Sequence, residues 1–135
     1  MRMQRPIPLA VPLGMFLRAA ILLACLVPIL AGGAGALTGA AFLGGGAPAL
    51  DSHVRYLSGL LLGIGLAFAW ASFDLPRRGR VFDLLAPIVV LGGLARLAGL
   101  LHATPPLPHL LALGMELGVT PLLWWGVRRA MRRHG

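Results

Sequence analysis

YLSGLLLGIGLAFAWASF at residues 56–73 runs into DLPRRGRV at 74–81 and then into FDLLAPIVVLGGLARLAGLL at 82–101. Two apolar segments, each near the ~20 residues a helix needs to cross a hydrocarbon core, are joined by a tight basic turn. That unit decides the fold. Reading outward from it, Leu13–Ala31 precedes and Leu107–Val127 follows, both apolar and of spanning length. Threading the four alternately places Arg2, Arg5, Arg77, Arg78, Arg80, Arg128, Arg129, Arg132 and Arg133 on one side. The other side receives a glycine-rich connection and a His/Pro corner. This is the positive-inside pattern. It predicts an all-α, integral membrane four-helix bundle with both termini cytoplasmic.

Composition agrees with that class. The chain has 135 residues, 58% of them hydrophobic, with mean hydropathy +0.85. A soluble domain of this size needs far more polar surface, and the length suits one domain, residues 1–135. The net charge of +8 comes from twelve arginines and no lysine. Their juxtamembrane clustering points to orientation and anionic-lipid contact, through Arg77, Arg78, Arg80, Arg128, Arg129, Arg132 and Arg133. No aromatic–basic interleaving accompanies the charge, so nucleic acid is not an expected partner. Cys25, the single cysteine, reads as a small buried hydrophobe. The first apolar run, with Ala34-Gly35-Ala36 beyond it, imitates a secretory leader, and Leu22-Leu23-Ala24-Cys25 imitates a lipoprotein box. Its length favours a retained first helix.

The expected helices are about 13–31, 52–73, 81–102 and 107–130. Pro6, Pro8 and Pro12 delay the first, and Pro28 sits near its far end. Arg18, about two turns in, is placed to snorkel to the headgroups or to anchor a neighbour. Residues 32–50, GGAGALTGAAFLGGGAPAL, allow three forms: a continuation of helix one, a short interfacial helix or a re-entrant loop. Asp51-Ser52 can cap helix two. Along it, Gly59, Gly63, Ala67 and Ala71 recur every four residues behind Arg55, and Gly59-x-x-x-Gly63 is a close-packing motif of membrane helices. Trp70, Trp124 and Trp125 fall at the arginine-rich interface, with Tyr56 placed to mark the other. Pro121 leaves the carbonyl of Leu117 without its usual partner.

Arg55, Arg96 and Glu116 stand inside three different helices, roughly 5, 9 and 12 Å from their outer ends at 1.5 Å per residue. An unpaired charge in a bilayer centre costs at least ~2.5–3.5 kcal/mol, so they have reason to meet. Asp51 is placed to join them. This intramembrane polar cluster reads either as an ionic staple fixing helix register or as an outward-facing pocket for a headgroup, quinone or small polar ligand. His53, His102 and His109 with Asp51 offer metal-type ligands, but without a spacing such as H-E-x-x-H, so no metal and no cofactor are expected. No serine triad, phosphate loop or dinucleotide fingerprint is present, and no internal repeat suggests a transporter.

Three motifs carry a resemblance. Asp51-Ser52-His53-Val54-Arg55-Tyr56-Leu57-Ser58-Gly59-Leu60, then Gly92-Gly93-Leu94-Ala95-Arg96-Leu97, then Glu116-Leu117-Gly118 with Pro121 resemble an uncharacterised bacterial family catalogued as domain of unknown function 4345. The resemblance covers most of the chain and implies a small four-helix membrane protein; it brings no reaction. The architecture is also similar to DoxX-like four-helix proteins, an analogy of form. The leading functional expectation is a non-enzymatic accessory protein or subunit, partnered by lipids and by another membrane protein or itself. The rival is a lipid-, quinone- or small-ligand-binding bundle.

Overall fold

The computed structural model describes residues 11–102, 104 and 106–133. Arg2, Arg5, Pro6, Pro8 and Pro105 lie outside the described residues. Helix α1 runs Val11–Thr38 with Pro28 inside it, and a 3-10 turn at Gly39–Leu43 follows. The glycine-studded stretch after Ala31 thus continues helix one through Thr38, and from there forms the 3-10 turn and the link to the next helix. Glycine weakens helices where water competes for the backbone; in apolar surroundings, internal hydrogen bonding is the only way to satisfy those groups. The direction changes at Gly39, φ 62°, and reverses through Gly44 and Gly45, φ 94° and 103°, a left-handed region that glycine enters without a Cβ penalty.

Helix α2, Pro48–Ser72, starts upstream of the expected cap at Asp51-Ser52, with Ala47 as N-cap and no side-chain cap bond. Proline's fixed φ suits the first helical turn, so Asp51 falls inside the helix. Its carboxylate instead accepts the backbone N–H of Ala40 at 2.8 Å. A short helix α3, Leu75–Arg78, forms the basic turn, and α4 spans Arg80–Gly99 with Pro87 inside. Helix α5, Leu107–Gly114, passes through a π-turn at Met115–Val119 into α6, Thr120–Arg132. The π-turn answers to Pro121. Its ring would crowd the carbonyl four residues back, and one wider turn relieves this. Both the backbone N–H and the hydroxyl of Thr120 reach the carbonyl of Met115, the hydroxyl at 2.9 Å.

Four segments are long and apolar enough to cross a membrane: Gly14–Leu43, Pro48–Ser72, Arg80–Gly99 and Leu107–Arg132. They pack as two antiparallel hairpins. In the first, Gly32 of α1 lies against the backbone of Ser58 and Leu62 in α2, Gly35 lies against Ser58, and Gly65 lies against Pro28 and Ile29. In the second, α4 meets the π-turn at Gly93, where Glu116 and Leu117 sit close enough to leave no room for a side chain. Phe68 and Phe82, ring centroids 4.9 Å apart, join the hairpins on one side. Gly126 against Leu17 joins them on the other.

The buried core is Ile21, Cys25, Phe68, Ala71, Phe82, Ala86 and Val127. It lies in the arginine-rich half, where all four long helices contribute. Large apolar side chains point outward from every one of them, among them Leu23, Leu30, Leu60, Leu91 and Leu122. A helix apolar on all sides is at home in hydrocarbon, where such exposure carries no hydrophobic penalty.

Candidate functional site

The four residues expected as one polar cluster separate into two pairs. Among the described residues no hydrogen bond or ion pair joins one pair to the other. Each arginine finds its carboxylate within its own hairpin, the shorter route to neutralisation.

The first pair is Arg55 and Asp51, one turn apart on α2, with Nε 2.8 Å from Oδ2. The arginine also donates from Nη1 to the carbonyls of Ala36 and Leu37, at 3.1 and 2.6 Å. These are carbonyls at the C-terminal end of α1, which the helix itself leaves unsatisfied. A cation there also meets the negative end of the helix dipole. Asp51 meanwhile holds Ala40 N–H just past the turn. Gly39 has no space for a Cβ, which would strike the Asp51 carboxylate and the Arg55 guanidinium. The pair therefore clasps the end of α1 to the start of α2, and what it binds is this chain's own backbone.

The second pair is Arg96 of α4 with Glu116 of the π-turn. Nε lies 3.0 Å from Oε2 and Nη2 lies 3.1 Å from Oε1, a two-point guanidinium–carboxylate contact of the geometrically most specific kind. The glutamate side chain is 16% exposed and the arginine 35%, so the pair is partly covered and not sealed. Gly93, one turn before Arg96, lets the two segments approach. His109 stands one helix stretch earlier, and its Nδ1 is buried with no hydrogen-bond partner. His53 and His102 are exposed. Among the described residues no group of three or more histidine, cysteine or acidic side chains is placed to hold a metal ion.

At the opposite end the arginines lie on aromatic rings. Arg18 stacks over Phe73 at 4.3 Å, Arg78 over Trp70 at 4.1 Å, Arg128 over Trp124 at 5.3 Å and Arg129 over Trp125 at 5.2 Å. Such contacts hold a cation at the level of an aromatic belt. Arg77, Arg80, Arg129 and Arg132 are exposed around it. Asp83, which sequence reasoning passed over, ties the belt together. Its Oδ1 accepts the indole N–H of Trp124 at 2.7 Å and lies 3.0 Å from Nε of Arg128. An acid in the first turn of a helix is common for dipole reasons alone, so position gave it no distinction. A signal was available all the same: the chain has four acidic residues among twelve arginines.

The small-residue stripe divides as well. Ala71 is fully buried in the core, yet a Cβ added at Gly59 or Gly63 would have nothing within 4 Å. Close approach inside the chain is made by Gly32, Gly35, Gly65 and Gly93 instead. The outward face of Gly59 and Gly63, with half-buried Ala67 one turn further along the stripe, is therefore unoccupied within this chain.

Fold and site together define an all-α four-helix bundle with helices suited to spanning a bilayer, an interhelical ion pair towards one end and an arginine–aromatic belt at the other. The family described as Domain of unknown function (DUF4345) matches residues 16–127, and the chain belongs to it. No curated protein and no solved structure matches the chain.

Proposed function

We propose that this protein is a non-enzymatic accessory protein or subunit of a bacterial inner-membrane assembly, acting by association with another membrane protein or with itself. The observation that carries this reading is the unoccupied Gly59–Gly63 face. Leu60 and Leu66 beside it are about half exposed, at 49% and 52%. Close backbone approach drives helix association in membranes, and Gly32, Gly35, Gly65 and Gly93 already have partners within the chain. Arg55 and Arg96 are each spent on an internal carboxylate, which suits a structural element better than a turnover site.

Gly63→Leu tests the reading. Nothing in the chain obstructs the new side chain, and leucine exceeds glycine in helix propensity by roughly 0.8 kcal/mol. The variant is expected to fold with unchanged or slightly raised thermal stability in detergent. It is expected to lose co-purifying companions or self-association, read by crosslinking in native membranes. Full retention of every companion would remove the support that this face lends.

Orientation belongs to the same proposal: the arginine-rich end faces the cytoplasm, carrying both termini. In a variant with Cys25→Ala, a cysteine at Thr104 is expected to react with an impermeant thiol reagent added to intact spheroplasts. A cysteine at Arg77 is expected to react only after lysis. The reverse pattern would invert the topology.

One observation favours a second reading, a bound small polar ligand: the exposed side of the Arg96–Glu116 pair, with His109 Nδ1 unpartnered. A molecule retained in mild detergent and lost on Arg96→Gln in a folded protein would support it over association.

A further inference from the structure

At the arginine-rich end, α4 and α6 leave a surface depression of about 140 Å³ lined by Asp83, Arg128, Met131 and Arg132. Its chemistry is two-signed. Asp83 uses Oδ1 for both Trp124 and Arg128; among the described residues, Oδ2 has no hydrogen-bond donor. Arg128 spends Nε on the carboxylate and lays its guanidinium over Trp124, and its Nη groups make no hydrogen bond among the described residues. Arg132 forms no ion pair among them. The floor is held in place, because Met131 packs into Gly79 of the basic turn. The wall is held too, by the indole–carboxylate bond. The depression lies at the level of Trp124, where headgroups meet an aromatic belt.

We propose that this depression seats the headgroup of a phospholipid carrying a primary ammonium, the phosphatidylethanolamine class. The phosphodiester takes the free N–H groups of Arg128 and Arg132, and the ammonium donates to Oδ2 of Asp83. Arginine presents a planar fork that matches phosphate oxygens. A carboxylate in the wall disfavours a headgroup that brings only negative charge. A trimethylammonium is drawn to it by charge alone and lacks the charge-assisted hydrogen bond that a primary ammonium donates. The inference rests on the membrane setting of the chain and not on the association reading, so either can fail without the other.

The test is native mass spectrometry of delipidated protein, titrated with phosphatidylethanolamine, phosphatidylcholine and phosphatidylglycerol of matched acyl chains. The ethanolamine lipid is expected to be retained about five- to tenfold over the other two, the range of one charge-assisted hydrogen bond at a half-exposed site. Asp83→Asn keeps an oxygen for the Trp124 N–H and is expected to bring the three lipids within about twofold of one another, again the loss of that one bond. Arg132→Gln, on an exposed position, is expected to weaken all three together. Equal retention of the ethanolamine and choline lipids by the unaltered protein would overturn the proposal, as would an unchanged order in folded Asp83→Asn. Should Asp83→Asn fail to fold, the lipid order in the unaltered protein and Arg132→Gln decide. Soluble O-phosphoethanolamine binding as tightly as the whole lipid would assign the depression to a free solute and also reject the lipid.

Discussion

Gly32→Leu is expected to abolish the α1–α2 hairpin, while the same exchange at Gly33, its neighbour, leaves the fold intact. A Cβ on Gly32 would stand 2.6 Å from the backbone nitrogen of Leu62 and 2.8 Å from the carbonyl oxygen of Ser58. Both are main-chain atoms of a helix and cannot swing aside as a side chain does. The two helices must separate instead. Overpacking of this kind costs about 1–3 kcal/mol in ordinary cores, and a full leucine against rigid backbone belongs at or above the top of that range. Even Gly32→Ala is expected to cost about 2 kcal/mol. Gly33 has nothing within 4 Å of a Cβ position and serves as the control. The measurement is thermal aggregation in detergent, with helicity followed in parallel. Equal melting of the Gly32 and Gly33 variants would mean the helices do not approach through Gly32.

Glu116→Leu is the second large effect. It leaves Arg96 without its carboxylate between α4 and the π-turn. Breaking a fully buried pair costs about 3–5 kcal/mol; with Arg96 about one-third exposed, about 2–3 kcal/mol is expected. The double variant Arg96→Leu/Glu116→Leu is expected to recover most of that loss, because two apolar side chains leave no charge to desolvate. The cycle also separates two roles for the pair. A staple predicts a double variant that is folded and functional in every association assay. A ligand site predicts a double variant that folds and has lost its ligand. A double variant no more stable than Glu116→Leu alone would deny the coupling itself.

How much of this was legible in the chain follows from what each signal depends on. Spanning length, apolarity and the placement of nine arginines are properties of segments, and they predict four helices without reference to any contact. Pro121 was legible as a local fault, because a missing N–H affects the carbonyl four residues back whatever surrounds it. The π-turn that absorbs the fault was not, since other local adjustments would also relieve the proline. The cost of unpaired charge gave Arg55, Arg96, Asp51 and Glu116 a reason to be neutralised, but not the choice of partners. Depth along a helix fixes only one coordinate. The division into Arg55–Asp51 and Arg96–Glu116 depends on which helices are neighbours and on how each is rotated.

The same distinction explains the glycines. A four-residue repeat marks Gly59 and Gly63 as lying on one face of α2, and nothing in the repeat says what that face meets. Gly32, Gly35 and Gly93 carry the close contacts because the helix rotations aim them at the α2 backbone, at the Ser58 side chain and at Glu116 and Leu117 respectively. The scarcity of acids marked Asp83 for pairing, but its partners Trp124 and Arg128 were set only by how α6 packs against α4. The sequence alone determined the class, the span number and the charge asymmetry, because each follows from the free energy of placing a segment in water or hydrocarbon. Only the tertiary structure decided which small residues are spent and which face is left open, because helix rotation and pairing are set by contacts between segments distant in the chain.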